Sequence, residues 1–189
     1  MRKLIAAINM TIDGFCDHTA VIPDEEIHQH YTGLLSNADA ILYGRITYQL
    51  MQYWQNLVKN PSGEKAMDDF ALAMDKIPKI VFSRTLKNTD WESAKLAKRN
   101  LKEEVLELRQ SRNGGSKEIF VGSPGLIVAL TQLGLIDEYQ LMVHPVIAGS
   151  GLPLFKNIKD KVGLKLLKTK TFGCGAVTLY YEPVKTFQK

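Results

Sequence analysis

Short apolar runs alternate with helical stripes as far as about residue 137, and beyond that point the chain reads as strand after strand. This change of rhythm constrains the fold most. Lys3–Asn9, Asp39–Tyr43, Lys79–Phe82 and Glu118–Val121 are short and almost continuously apolar, as strands buried on both faces are. Glu138–Val146, Leu164–Phe172 and Ala176–Tyr181 follow, and the last two flank Gly173-Cys174-Gly175 as an antiparallel hairpin. Five stripes at helical spacing lie among the strands: Ile27, Tyr31, Leu34 and Leu35; Ile46, Leu50, Tyr53, Trp54 and Leu57; Met67, Phe70, Ala71 and Met74; Leu101, Val105 and Leu108; and Leu126, Leu130 and Leu133, which stops at Gly134. Each stripe is expected to pack on the sheet. The order predicts an α/β fold with a mixed, mostly parallel central sheet, helices on both faces and a C-terminal antiparallel hairpin. Asn60-Pro61-Ser62-Gly63 and Asn113-Gly114-Gly115 read as turns.

The 189 residues suit a single domain spanning 1–189, with no repeat, linker or low-complexity tract. The net charge of +4 comes from scattered cations such as Lys87, Lys95, Lys98, Arg99 and Lys102, interleaved with acids. It suits small anionic ligands, while the absence of a basic block argues against nucleic acid. Cys16 and Cys174 form no CxxC or Cys/His cluster, and His28 and His30, two apart on a helix, face different ways. Neither a disulfide framework nor a metal site is expected, and the natural compartment is a reducing cytoplasm. The opening MRKLIAAINMTIDGF is broken by Asn9 and Asp13 and reads as a buried first strand rather than a signal peptide. No run is long enough to cross a membrane.

Three of the strands end in polar turns: Gly44-Arg45-Ile46-Thr47, Ser83-Arg84-Thr85 and Gly122-Ser123-Pro124-Gly125. In open α/β sheets, ligands settle outside the carboxyl ends of strands, where helix N-termini and loop amides converge. Gly44 lets a backbone approach closely, Arg45 brings a guanidinium and Thr47 a hydroxyl in the first helical turn. Ser83 and Arg84 suit the 2′-phosphate of an NADP-type adenosine, since a bidentate arginine distinguishes phosphate from a ribose hydroxyl. Pro124 suits the first helical position, and Ser123 is a good N-cap at what is also an anion position. Each turn alone also reads as an ordinary junction. Three in order point to an extended phosphorylated ligand such as a dinucleotide.

The chain resembles the dihydrofolate reductase-like family, in particular small bacterial proteins similar to the reductase domain of the riboflavin-biosynthesis deaminase-reductase. The resemblance rests on Ile8–Phe15 (INMTIDGF), Ala38–Tyr48 (ADAILYGRITY), Val81–Thr85 (VFSRT), Ile119–Leu130 (IFVGSPGLIVAL) and Leu133–Phe155 (LGLIDEYQLMVHPVIAGSGLPLF), in the family's order. It implies a dihydrofolate reductase-like three-layer fold, NADPH as cofactor, and hydride transfer to a small heterocycle or a ribosylamino-pyrimidine, as in 5-amino-6-(5-phosphoribosylamino)uracil reductase domains. It also implies a homodimer. By the same resemblance Gly44, Arg45 and Thr47 meet phosphate, and Ser83 and Arg84 meet the adenosine phosphate. Gly122, Ser123 and Leu126 lie beside the pyrophosphate and nicotinamide, with Ser123 standing where the family has a second glycine. Ala7 and Ile8 pack against the nicotinamide, and Asp13 and Gly14 belong to a loop folding over it.

For the proton donor the family's carboxylate follows a proline at the first helix. Here Glu25 has that offset from Pro23, and Asp13 is the second candidate. The same residues have structural readings: Asp24 as N-cap, Glu25 and Glu26 as first-turn acids, and Asp13-Gly14 as a turn. His144, before Pro145, either lines the substrate side or is a satisfied structural histidine. Ala148-Gly149-Ser150-Gly151 opens no clear helix and is a weak dinucleotide fingerprint. Besides the NADPH-dependent reductase, two readings stay open: a nucleotide-binding protein with little or no catalysis, and a folate reductase proper.

Overall fold

Eight strands form one sheet in the computed structural model, which describes residues 1–21, 23–110 and 118–184. The expected Asn113-Gly114-Gly115 turn lies outside the described residues. The elements run β1 (Lys3–Thr11), α1 (Glu25–Ser36), β2 (Ala38–Gly44), α2 (Arg45–Lys59), α3 (Lys65–Lys76), β3 (Lys79–Phe82), β4 (Ala94–Leu96), α4 (Leu101–Gln110), β5 (Glu118–Val121), α5 (Pro124–Gln132), β6 (Glu138–His144), β7 (Leu164–Thr171) and β8 (Val177–Pro183). Their spatial order is β4-β3-β2-β5-β1-β6-β8-β7. Every pair from β4 to β6 is parallel, and β8 is antiparallel to both β6 and β7. This is the mixed sheet with a C-terminal hairpin that the sequence predicts.

Strand alternation sends successive side chains into two cores. Leu4, Ala6, Ile8, Ala40, Leu42, Ile119 and Val121 meet Val105 of α4 and Ile127 and Leu130 of α5. On the other face Ile5, Ile41, Tyr43, Val81 and Phe120 meet Leu35 of α1, Tyr48 of α2, and Phe70 and Met74 of α3. Both faces are covered, which is why the early strands carry no polar alternation. Asp24 caps α1, its Oδ1 accepting from the Ile27 amide at 2.9 Å, and Glu25 and Glu26 occupy the first turn.

Four local expectations change. Of the stripe Ile46, Leu50, Tyr53, Trp54 and Leu57 expected against the sheet, Trp54 packs inward, yet Ile46, Leu50 and Tyr53 are 66%, 39% and 53% exposed, and Tyr48 is the residue α2 buries. Apolar residues occur on both sides of α2, and contact with α3, where Trp54 packs on Phe70, decides between them. Leu133, placed on the α5 stripe, caps that helix instead, and Gly134 follows in the left-handed region at φ 64°. β6 ends at His144 rather than Val146, because Pro145 has no N–H and the Val146 amide folds back onto the His144 carbonyl at 2.8 Å. Finally β4, only three residues long, pairs with β3 and was not expected at all. Among the described residues no helix is long and apolar enough to cross a membrane.

Candidate cofactor and substrate site

Because β3, β2, β5 and β1 are neighbours and parallel, their carboxyl ends share one rim, and the three polar turns stand side by side on it. Gly44 pairs with Phe82, so Arg45 and Ser83 leave adjacent strands at the same level. Leu42 pairs with Val121, which brings Gly122 and Ser123 alongside.

The N-termini of α2 and α5 are joined directly. Ser123 Oγ, of a residue only 3% exposed, accepts the Gly44 amide hydrogen at 2.9 Å. Ser123 occupies the N-cap position of α5, but its hydroxyl is used on the neighbouring turn and makes no bond to its own helix. Neither helix has a side-chain cap or an acid in its first turn. Both therefore end in free amides with the positive end of the helix dipole exposed, the arrangement that attracts phosphate.

The glycines fit this arrangement. A Cβ on Gly122 would stand 3.3 Å from Tyr43 Cε1 and 3.7 Å from the Ala7 carbonyl oxygen, so any side chain there would crowd the rim. A Cβ on Gly44 would meet only Ser123 Oγ at 3.8 Å and other ordinary contacts. Nothing in the chain itself requires glycine at Gly44, which leaves open backbone above it. Ser83 Oγ accepts the amides of Thr85 at 3.1 Å and Leu86 at 3.0 Å, an ST-turn that leaves Arg84 exposed. Arg45 is also exposed and, among the described residues, hydrogen-bonds Gln49 at 3.3 Å. Thr47 and Leu126 are half-buried beside these turns. Ala7 lies half-exposed on the α1–α3 face, whereas the Ile8 side chain turns into the opposite core and offers the rim only backbone.

The two acid candidates stand apart. Asp13 accepts the Thr11 hydroxyl at 2.5 Å, the Gly149 amide at 2.7 Å and the Ala148 amide at 3.1 Å, tying the β1 turn to the loop after β6. The Thr11 hydroxyl, and then the two amides, hold its carboxyl below the ordinary carboxylate range. Such a group adds stability above the unfolded carboxylate pKa and loses it as pH falls through the lowered value. The Gly149 amide resonance is therefore expected to hold steady from neutral pH down past the ordinary aspartate midpoint and to shift only below it. A shift centred at or above that midpoint would contradict the tie. Glu25 is exposed and bonded to Gln29 at 2.8 Å, while Glu26 accepts the Gly173 amide at 2.9 Å and pins α1 to the hairpin.

One cluster was not legible in the sequence. Asn9 Oδ1 accepts the Tyr31 phenol at 2.9 Å and lies 3.1 Å from His144 Nε2. Burial lowers the His144 pKa, against a smaller opposing pull from Asp24, and raises that of Tyr31. The only hint was a polar residue inside an otherwise apolar strand. His144, left open between two roles, is buried and hydrogen-bonded at the carboxyl end of β6.

The family model described as the RibD C-terminal domain matches residues 2–178. The chain belongs to that family. A Bacillus subtilis protein, YyaP, is 34% identical over 188 residues, covering 96% of this chain and 95% of its own. A Corynebacterium diphtheriae pyrimidine reductase-like protein superposes with TM-score 0.64 at 15% identity, over 98% of this chain and 93% of that one. The Thermotoga maritima diaminohydroxyphosphoribosylaminopyrimidine deaminase/5-amino-6-(5-phosphoribosylamino)uracil reductase gives TM-score 0.63 at 16% identity. This chain covers 57% of that longer protein, and 97% of this RibD C-terminal domain is matched. At such identities the structural likeness is one of fold, and it agrees with the dihydrofolate reductase-like sheet expected from the sequence.

Proposed function

We propose that the protein is an NADPH-dependent reductase acting on a small heterocyclic or ribosylamino-pyrimidine substrate. One observation carries this reading: two uncapped, acid-free helix N-termini, bonded to each other through Ser123 and Gly44, open on the same rim as Arg45 and Arg84. Membership of the RibD C-terminal domain family supports it.

In this reading Gly44, Arg45, Thr47, Gly122, Ser123 and Leu126 would hold the pyrophosphate, and Ser83 and Arg84 the adenosine 2′-phosphate. Ala7 and the backbone of Ile8 would support the nicotinamide. NADPH, when bound, supplies the hydride. The chain's own work is to bind, align and exclude water: amides and guanidinium groups neutralise phosphate, and Gly122 keeps the floor of the rim low. Asp13 holds the β1 turn against the 148–149 loop, which shapes the lip of the cleft. As proton donor, Glu25 and Asp13 are both proposals. Asp13 is saturated with donors and Glu25 faces solvent, which favours the second reading, a nucleotide-binding protein without turnover.

Calorimetric titration with NADPH and NADH, paired with oxidation assays on pyrimidine and pterin substrates, separates the two readings. Tight NADPH binding without oxidation supports the second; no heat with either coenzyme refutes both. Arg84→Ala is expected to weaken NADPH about tenfold, the loss of one charge-assisted contact, and to leave NADH unchanged. Unaltered NADPH affinity in that variant rules out the phosphate role.

A further inference from the structure

Asn9 lies two residues beyond Ala7 on the same face of β1, so it borders the place where the nicotinamide and substrate would meet under the reading above. An asparagine amide can offer either its carbonyl or its NH2 group to a ligand, and a half-turn about its last bond exchanges them. Here Oδ1 faces two groups from different elements, the Tyr31 phenol of α1, which donates to it at 2.9 Å, and His144 Nε2 of β6 at 3.1 Å, so the orientation is coupled to the His144 tautomer. The phenol of Tyr31 stays protonated because burial raises its pKa, and burial keeps His144 a neutral ring. In that ring the bond to Oδ1 requires the hydrogen on Nε2. With Oδ1 committed, Nδ2 has no partner among the described residues and is not among the buried polar atoms lacking one. It therefore presents two N–H groups from a half-exposed side chain.

We infer that Asn9 is a specificity-determining residue whose clamped amide donates to a neutral carbonyl oxygen on the planar ring of the substrate. The acceptor is a neutral carbonyl rather than a carboxylate, because Asp24 acts electrostatically on His144 and Glu26 lies on the same helix turn, so this end of the cleft disfavours an added anion. The selected class is a lactam-bearing heterocycle. This inference rests on the substrate side of the reductase reading, not on the identity of the coenzyme.

Two pteridines of equal size test it by fluorescence titration without coenzyme: pteridine-2,4-dione, which offers carbonyls, and pteridine-2,4-diamine, which offers amino groups. The wild type is expected to prefer the dione. Asn9→Leu should weaken the dione about tenfold, the effect of one lost hydrogen bond to a polar ligand group, and leave the diamine nearly unchanged. Asn9→Asp keeps the acceptor for Tyr31 and His144 but turns an oxygen to the cleft, so it should reverse the preference. A merely structural Asn9 would lower both affinities together. Should Asn9→Leu fail to fold, Tyr31→Phe, which releases one clamp, must still narrow the preference. The inference is overturned if the variants keep the wild-type order of the two ligands, or if the wild type binds neither. Parallel NADPH titration keeps the two readings apart. Ring preference that follows Asn9 without NADPH binding removes the coenzyme assignment alone, and NADPH binding with preference indifferent to Asn9 removes this one.

Discussion

Replacing Arg109 by alanine is expected to destabilise the fold by about 3 kcal/mol, which for a chain of this length lowers the melting temperature by roughly 10 °C. Arg109 ends α4 with its side chain 9% exposed. Its Nη1 donates to the Leu135 carbonyl at 2.9 Å and its Nη2 to Asp137 at 2.9 Å. Asp137 in turn accepts the Leu4 amide at 2.8 Å, so one guanidinium links α4, the approach to β6 and the start of β1. Truncation leaves the Leu135 carbonyl and the Asp137 carboxylate short of a donor, and Asp137, about one-third exposed, recovers only part of its solvation. Arg109→Met, which restores the apolar stem, should recover less than half the loss. The cluster sits at the amino ends of the strands, across the sheet from the rim. Thermal melts should therefore shift while NADPH affinity measured well below the transition stays within about twofold. An unshifted melt refutes the assignment.

Ser123→Val should cost about 3 kcal/mol in stability and at the same time weaken NADPH about tenfold. Valine replaces the hydroxyl by one methyl group and forces a second into a site 3% exposed, and it leaves the Gly44 amide without its acceptor. The α2 and α5 termini then lose their common fastening, and under the proposed reading their amides turn away from the phosphate they would share. Ser123→Ala removes the acceptor without adding bulk, so it should lose affinity with a smaller drop in stability. Urea unfolding and calorimetry on both variants separate the effects. Full NADPH affinity in Ser123→Ala would show that the fastening has no bearing on the rim.

What the sequence disclosed follows the range of each interaction. Continuous apolar runs such as KIVF and EIFV announced doubly covered strands, and the rule that parallel strands expose their carboxyl ends together placed Gly44, Ser83 and Gly122 on one rim. The orientation of α2 was hidden, because Ile46, Leu50 and Tyr53 repeat at the same spacing as an inward stripe, and only α3 breaks the tie. Strand β4 was too short to show a period. Ser123 was read as the cap of its own helix; its bond to Gly44 spans 79 residues, and nothing local encodes it. The Asn9 clamp joins residues 22 and 135 positions away, so only the polar side chain within β1 betrayed it.

The two margins of the sheet differ from its middle. On one side β4 offers three residues, and on the other β7 carries Lys165, Lys168 and Lys170 with an irregular register after Leu166. Short or lysine-studded, kinked borders are poor templates for another chain's backbone, so edge-to-edge growth of the sheet is discouraged at both sides.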